Sequence, residues 1–456
     1  MSDKAKFGSK IGLIAATVGS AVGLGNVWRF PAVTKENGGA AFLLIYLGCV
    51  FILGIPVMLA EFSLGRSGGS DAVGVFRKLS PGTKWYLVGG IGVLASYLIL
   101  SFYMVVAGWT AEYFWQSLTG GLFESAASST DSQAYTQKMT ELITGSVNPL
   151  IWTYVMIAIN LVILLKGVRK GIEKMSNILM PVLFVLLLVF CVVSLNLPNA
   201  IEGVKFFLSP DFSKVDGSTF VAALGQAFFS LSLGMGILIT FAAYYPKETR
   251  LSRTAITVSL LDFLVAVLMG LIIFPAVKSF GLDSNPDAIK GGTLVFVTLP
   301  EVFAQMPLRE VWSTLFFLLL AIAALTSTLS LGEVTISLLQ DRLKLSRKAA
   351  TWLTMLPLFL LSSICSLSQG ELSWLTIAGK NIFDFLDMAA TNIMLPLSAL
   401  FVCLYVGWKM PRRFLKDQLT NDASFKSYLY PPVLVSIRTI APVLIFVILI
   451  SYFLWQ

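Results

Sequence analysis

Histidine is absent from the 456-residue chain, and its four cysteines, Cys49, Cys191, Cys365 and Cys403, stand singly in apolar runs. That leaves no Cys/His spacing for a zinc site, no disulfide framework and no Cys/His nucleophile. An enzyme loses most of its usual side chains here, and the chain is read as a non-enzyme. Charge is scarce too: Asp, Glu, Lys and Arg make up 13% against 56% hydrophobic residues, with a mean hydropathy of +0.81. Such a balance excludes a soluble protein and leaves one polytopic, all-α domain over residues 1–456 in a lipid bilayer. The 33 Lys and Arg exceed the 25 Asp and Glu by 8. They fall in short loops between apolar runs, so they set topology and imply no nucleic-acid partner. Lys4, Lys6 and Lys10 precede a short apolar run, and Gly19-Ser20-Ala21 has the small residues of a signal-peptidase site. No cleavage is expected, because it would destroy a helix that the later chain needs.

At roughly 20 apolar residues per crossing the chain reads as eleven transmembrane helices, near 11–33, 40–65, 85–118, 149–166, 175–196, 219–245, 254–280, 308–340, 349–368, 378–408 and 432–455. The basic residues cluster in one set of loops, at Arg66 to Lys84, Lys166 to Lys174, Lys247 to Arg253, Arg342 to Lys348 and Lys409 to Lys416. These loops and the N-terminus should be cytoplasmic, and an odd number of crossings then puts the C-terminus outside. The opposite loops are longer and carry few basic residues. They include Gly120 to Asn148 and Gly281 to Pro307, the latter with room for short helices over the outer face. Trp85, Trp152, Trp312, Trp352, Trp408 and Tyr428 lie near span ends, where aromatic rings anchor at the lipid–water boundary.

Two spans are interrupted. Ser20 to Pro31 places two glycines, Asn26 and Arg29 where the first helix should run unbroken, and Phe229 to Gly236 carries two serines and two glycines inside the sixth. An unpaired peptide group facing hydrocarbon costs several kcal/mol, so such stretches must line a protein-enclosed site. Glycines also serve close packing between helices. Two breaks, each in the first helix of a five-helix set, point instead to a 5+5 inverted repeat, about 11–196 and 219–408 with an extra helix at 432–455, and to a transport site between the repeats. An unwound helix offers free carbonyl oxygens to a hard cation and free amides to a carboxylate. A small zwitterion bound with sodium meets both polarities. Thr326-Ser327-Thr328 adds three hydroxyls in the eighth span, which backbone carbonyls alone could also satisfy.

The sequence Gly-Ser-Ala-Val-Gly-Leu-Gly-Asn-Val-Trp-Arg-Phe-Pro at 19–31 is joined by Glu36-Asn37-Gly38-Gly39, Gly225-Gln226-Ala227-Phe228-Phe229-Ser230-Leu231-Ser232-Leu233-Gly234, Leu325-Thr326-Ser327 and Leu343-Lys344-Leu345-Ser346-Arg347-Lys348. Together these resemble the neurotransmitter:sodium symporter family along nearly the whole chain, and most closely its bacterial members that carry hydrophobic amino acids. The resemblance implies a leucine-transporter-like fold in a bacterial-type plasma (inner) membrane. It implies two sodium ions as co-transported cargo, one held by the Gly19, Val22 and Ala323 carbonyls with the Thr326 and Ser327 hydroxyls. The other takes Ala21, Asn26, Ser230 and the substrate's own carboxylate. That carboxylate would rest on the Leu24 and Gly25 amides and the Tyr103 hydroxyl, and the ammonium on the Ala21, Phe229 and Ser230 carbonyls and the Ser232 hydroxyl.

Monoamine members of the family carry an aspartate where this chain has Gly23, so the resemblance implies α-amino acids. The pocket for the side chain would consist of Ile99, Tyr103, Phe229, Met235, Ser327 and Leu331, with no charged group, which favours hydrophobic substrates. Met235 is either a flexible wall that admits aliphatic and aromatic ligands or simple core filling. Arg29 and Asp387 resemble an outer gate, the alternative being an interfacial arginine that snorkels. Tyr244 and Asp341, with Lys4 where the family often has arginine and Phe7 where it often has tryptophan, resemble an inner gate. Asp262 would substitute for the chloride of chloride-dependent relatives, so no chloride is expected. Gly171 and Pro181 resemble a motif for local unwinding of the fifth helix, against the alternative of a loop glycine and a tolerated proline. Glu61 and Glu333 take structural or permeation roles. The expectation is therefore a sodium-coupled importer of hydrophobic L-amino acids working by alternating access, with a proton-coupled carrier or a non-transporting amino-acid sensor of the same fold as rivals.

Overall fold

Ser9 starts the first helix by accepting the Gly12 amide on its hydroxyl at 2.9 Å, which satisfies one of the amides a helix leaves free at its start. Glu173 of the fifth span accepts the Gly8 and Ser9 amides at 2.8 and 2.9 Å, so the two spans begin tied together. The computed structural model describes residues 6–124, 132–282, 288–289 and 291–454. Among the described residues nine helices are long and apolar enough to cross a membrane, and a tenth crossing is Lys10–Ala21 with Gly25–Glu36, bent by 53°. The expected sixth span is two pieces, Gly217–Ser230 and Ile237–Ala242, each too short to cross alone. That broken pair makes the described helices compatible with the expected eleven crossings.

The expected spans recur within a few residues, with one shift at the fifth. That helix begins at Val168 in wide π-type turns through Glu173 and continues unbroken to Leu195, with Pro181 inside it. Gly171 and Pro181 thus lie on one helix in this conformation. The outer loops form the short helices Ser132–Thr144 and Gly291–Ala304. A two-stranded antiparallel hairpin, Thr376–Ile377 with Lys380–Asn381, precedes the tenth span, Ile382–Lys409.

Aromatic side chains close the bundle above and below the breaks. At one end Phe296, from the helix Gly291–Ala304, packs against Trp28, Trp109, Tyr113 and Phe317 at ring separations of 4.9 to 6.3 Å. At the other end Phe7, buried, sits among Phe241, Tyr244 and Tyr245 at 5.9 to 6.4 Å, and its amide donates to the Tyr244 carbonyl at 3.2 Å. Rings of this size exclude water over a large area at small conformational cost. These aromatic clusters lie to either side of the polar, unwound centre.

The break in the sixth span requires glycine at Gly234. Its φ is +78°, and an added Cβ would stand 2.4 Å from the Leu395 carbonyl oxygen of the tenth span. Gly234→Ala should therefore cost about 1–3 kcal/mol from overpacking against backbone, read as a lower thermal unfolding midpoint in detergent. Gly90→Ala, which meets nothing within 4 Å, should leave the midpoint unchanged or raise it.

Candidate functional site

The first helix stops at Ala21 because Val22 turns to extended backbone, with ψ of 109°. Carbonyls of its last turn then lack partners further along the helix. The sixth-span break runs over Leu231 to Gly236, where Ser232, Gly234 and Gly236 have φ of 54°, 78° and 72°. Three left-handed residues in alternation keep the chain from resuming a helix before Ile237. Polar contacts join the two breaks. The Ser232 hydroxyl donates to the Ser20 carbonyl at 2.7 Å, and the Gln226 amide reaches the Gly25 carbonyl at 3.4 Å.

A second junction forms around Asp262 of the seventh span, Leu251–Ser279. The Asn26 amide nitrogen donates to Asp262 Oδ1 at 3.0 Å and the Tyr46 hydroxyl to Oδ2 at 3.2 Å, while Ser230 Oγ lies 2.8 Å from both oxygens. Asn26 also donates to Ser230 Oγ at 3.0 Å, and its own Oδ1 accepts the Gly23 amide at 3.2 Å. Asp262, Asn26 and Ser230 are fully buried or nearly so. A buried carboxylate is tolerated where donors surround it. Here those donors come from the first, second and sixth spans.

Between the breaks lies a small cavity. It brings together all the residues expected around the substrate: Ala21, Leu24, Gly25, Ile99, Tyr103, Phe229, Ser230, Ser232, Met235, Ser327 and Leu331. Ser20, Gly23 and Ile237 complete the lining, and none of these side chains is charged. Tyr103 accepts the Leu24 amide at 3.2 Å. Gly23 admits no side chain without crowding: a Cβ would meet Ser327 Oγ at 3.0 Å and Tyr103 Oη at 3.2 Å. The hydroxyls of Tyr103, Ser230, Ser232 and Ser327 and the backbone of the first break line the cavity together with the apolar side chains of Ile99, Phe229, Met235 and Leu331, a mixed lining suited to a small molecule with a polar head and an apolar tail.

The residues expected around the second ion also converge. A Cβ at Gly19 would lie 3.1 Å from Cβ of Thr326, so the first and eighth spans touch there. The Thr326 hydroxyl bonds the Ile322 and Ala323 carbonyls at 3.1 Å, and Ser327 and Val22 are buried as well. All the oxygens offered are neutral carbonyls and hydroxyls, ligands that suit a hard monovalent cation.

The outer pair is less complete. The Arg29 guanidinium sits over the Phe229 ring, 5.4 Å from its centre, and Arg29 and Asp387 form no ion pair within 4.0 Å. Asp387 instead accepts the Thr391 hydroxyl at 3.3 Å. At the inner end the Tyr244 hydroxyl donates to Glu333 at 2.8 Å, and Glu333 pairs with Arg347 at 2.7 Å. Asp341 accepts the Ser70 hydroxyl at 3.1 Å and the Asp71 amide at 2.7 Å. Lys4 lies outside the described residues.

Sequence reasoning did not find three of these contacts: Tyr46 on Asp262, Arg347 on Glu333, and Glu61, whose Oε1 accepts the Gly234 amide at 2.7 Å. Membrane-embedded Glu61 and Glu333 were the available signals, since each carboxylate needs a donor. The Ser96 hydroxyl likewise donates to the Met235 carbonyl. Both contacts hold the unwound stretch from the sides facing the second and third spans.

A family model described as the sodium:neurotransmitter symporter family matches residues 4–148 and 124–455. The chain is 35% identical over 446 residues to the sodium-dependent transporter YhdH of Bacillus subtilis (strain 168), covering 98% of this chain and 97% of that protein. It is 36% identical over 431 residues to a sodium-dependent transporter of Haemophilus influenzae, covering 92% and 91%. A crystal structure of MhsT in complex with L-phenylalanine superposes with a TM-score of 0.87 at 41% identity, over 98% of this chain and 99% of that one.

Ser232→Ala removes the hydrogen bond that ties one break to the other. The lost bond should lower the local opening free energy by about 1 kcal/mol, seen as roughly five-fold faster amide hydrogen exchange over residues 231–236 with the outer ends of the bundle unchanged. Unaltered exchange at those amides would show that the contact does not hold the break.

Proposed function

The chain belongs to the sodium:neurotransmitter symporter family, and from that premise we propose that it couples the inward sodium gradient to import of hydrophobic L-amino acids, aliphatic and aromatic. The observation that carries this reading is the cavity between the two breaks, lined by hydroxyls, backbone and apolar side chains and without a charged side chain. With Gly23 in place of a carboxylate, an acid group on the substrate has amides to meet at Leu24 and Gly25 and a hydroxyl at Tyr103. Phe229, Ile99 and Met235 receive the apolar side chain. The neighbouring structure's L-phenylalanine supports a substrate of this class.

Two sodium ions travel with the substrate in this reading. The first is held by Ala21, Asn26, Ser230 and the substrate carboxylate, and the second by Gly19, Val22, Ala323, Thr326 and Ser327. The substrate completes the first shell, so each ligand raises the affinity of the other by one common factor. Asp262, bonded to both Asn26 and Ser230, supplies the negative charge that would otherwise call for chloride. Rocking of the repeats 11–196 and 219–408 then exposes the site to alternate faces. Arg29 closes toward Asp387 outside, and release inside passes the Phe7–Tyr244 contact, Asp341 and the stretch from Gly171 to Pro181, which unwinds in the inward phase. The protein sits in the plasma membrane with its N-terminus in the cytoplasm and its C-terminus outside.

Purified protein in liposomes should accumulate labelled leucine and tryptophan against their gradients when sodium is outside, and removal of sodium should abolish uptake. Uptake driven by a pH gradient without sodium would assign a proton-coupled carrier, and saturable binding without accumulation would assign a sensor. Chloride-free buffer should leave uptake intact. Asp262→Asn should make it chloride-dependent or abolish it, and normal chloride-free uptake by that variant would refute the charge assignment.

A further inference from the structure

A cavity of about 1200 Å³ of empty space, open to solvent, lies at the end of the molecule that carries the basic loops. Three segments remote in sequence enclose it: the end of the second span at Arg66, the loop after the sixth span at Lys247 to Arg250, and the loop between the tenth and eleventh spans at Gln418 to Phe425. Arg66 knits them together. Its Nε donates to Gln418 Oε1 at 2.9 Å, and Nη1 donates to the Thr249 carbonyl at 2.7 Å and to Asn421 Oδ1 at 2.8 Å. Nη2 donates to the Gln418 carbonyl. Every hydrogen-bond partner is neutral, and among the described residues the one carboxylate whose charge acts on Arg66, that of Asp422, forms no ion pair with it within 4.0 Å.

Two more cations share the wall. Arg250 lays its guanidinium on the Phe425 ring, 4.8 Å from the centre, and Lys247 is exposed. Among the described residues none of the three cations has a carboxylate within 4.0 Å, although Glu248 and Asp422 also line the cavity. Stacking fixes one face of Arg250 and leaves the N–H edge available. An Arg fork beside a Lys point charge is the donor set that suits phosphate oxygens.

The surroundings place this cavity at headgroup depth. Trp408, 66% exposed, and Tyr428, 87% exposed, flank the loop between the last two spans, as aromatic residues do at a membrane boundary. Between them the helix Arg412–Thr420 buries Leu415 and Leu419 and turns Arg412 and Arg413 outward.

We propose that this cavity binds a phosphate-bearing anion through Lys247, Arg250 and the field of Arg66, the phosphate being that of an acidic phospholipid headgroup or a free one. Occupation would clamp the three loops at the inner end of the bundle. This inference is independent of which amino acid the transporter carries.

The test is native mass spectrometry of the purified full-length protein with phosphatidylglycerol, with phosphatidylcholine, and with phosphatidylglycerol in competition with inorganic phosphate. One phosphatidylglycerol should bind in preference to phosphatidylcholine. The exposed-site double variant Lys247→Gln/Arg250→Gln should weaken that binding on the order of 10-fold, since each basic residue at a membrane surface contributes comparably to acidic-lipid attraction. Arg412→Gln/Arg413→Gln, outside the cavity, should leave it unchanged. Competition by millimolar inorganic phosphate would support the site with a soluble source, and its failure would support the site with a lipid source. Equal binding of both lipids, unchanged binding by the Lys247/Arg250 variant, or equal loss in the Arg412/Arg413 variant would overturn the proposal. Unchanged thermal midpoints verify that both variants fold.

Discussion

A carboxylate buried among spans, with no cation beside it, must be surrounded by donors. Asp262 meets that requirement with Asn26, Tyr46 and Ser230, and much of the inner architecture follows from the demand. Asn26 can reach it only because the first helix is broken above Ala21, and Ser230 because the sixth helix ends there. Ser230 also lines the cavity, next to Gly23 and Gly25 of the first break. One polar knot therefore fixes the relative position of both breaks and presents oxygens toward the space where substrate and ion would meet.

The remaining contacts hold the two unwound stretches open. Glu61 takes the Gly234 amide, Ser96 the Met235 carbonyl, and Ser232 the Ser20 carbonyl. These bonds satisfy backbone groups that would otherwise be costly inside a membrane. They also leave the Leu24 and Gly25 end and the carbonyls near Ala21 directed at the cavity. Phe296 with its aromatic partners and Phe7 with its partners then pack the two ends of the bundle with rings. A site built at the meeting of two broken helices is what alternating access would use as its fixed point.

Much of this was legible in the sequence because the breaks violate a simple rule. Glycine, asparagine and arginine at mid-span leave backbone and polar groups that hydrocarbon cannot satisfy, so Ser20 to Pro31 and Phe229 to Gly236 announced a site before any fold was known. The spans were legible for the same reason, since apolar length is set by membrane thickness. What escaped were pairings across distance. Nothing in the sequence near Tyr46 indicates Asp262, 216 residues away, and nothing near Glu333 indicates which arginine meets it. Conformation escaped as well: Gly171 and Pro181 permit unwinding, yet here both lie on a continuous helix, and Arg29 rests over Phe229 short of Asp387.

The central claim is that substrate and sodium share one shell at Asn26 and Ser230. Its most direct test is equilibrium binding measured both ways on purified protein: labelled leucine affinity against sodium concentration, and labelled sodium affinity with and without leucine. The account predicts that each ligand tightens the other by the same factor, and that the amine lacking the carboxylate, isoamylamine, produces no tightening. Leucine affinity independent of sodium, or equal tightening by the amine, would contradict it.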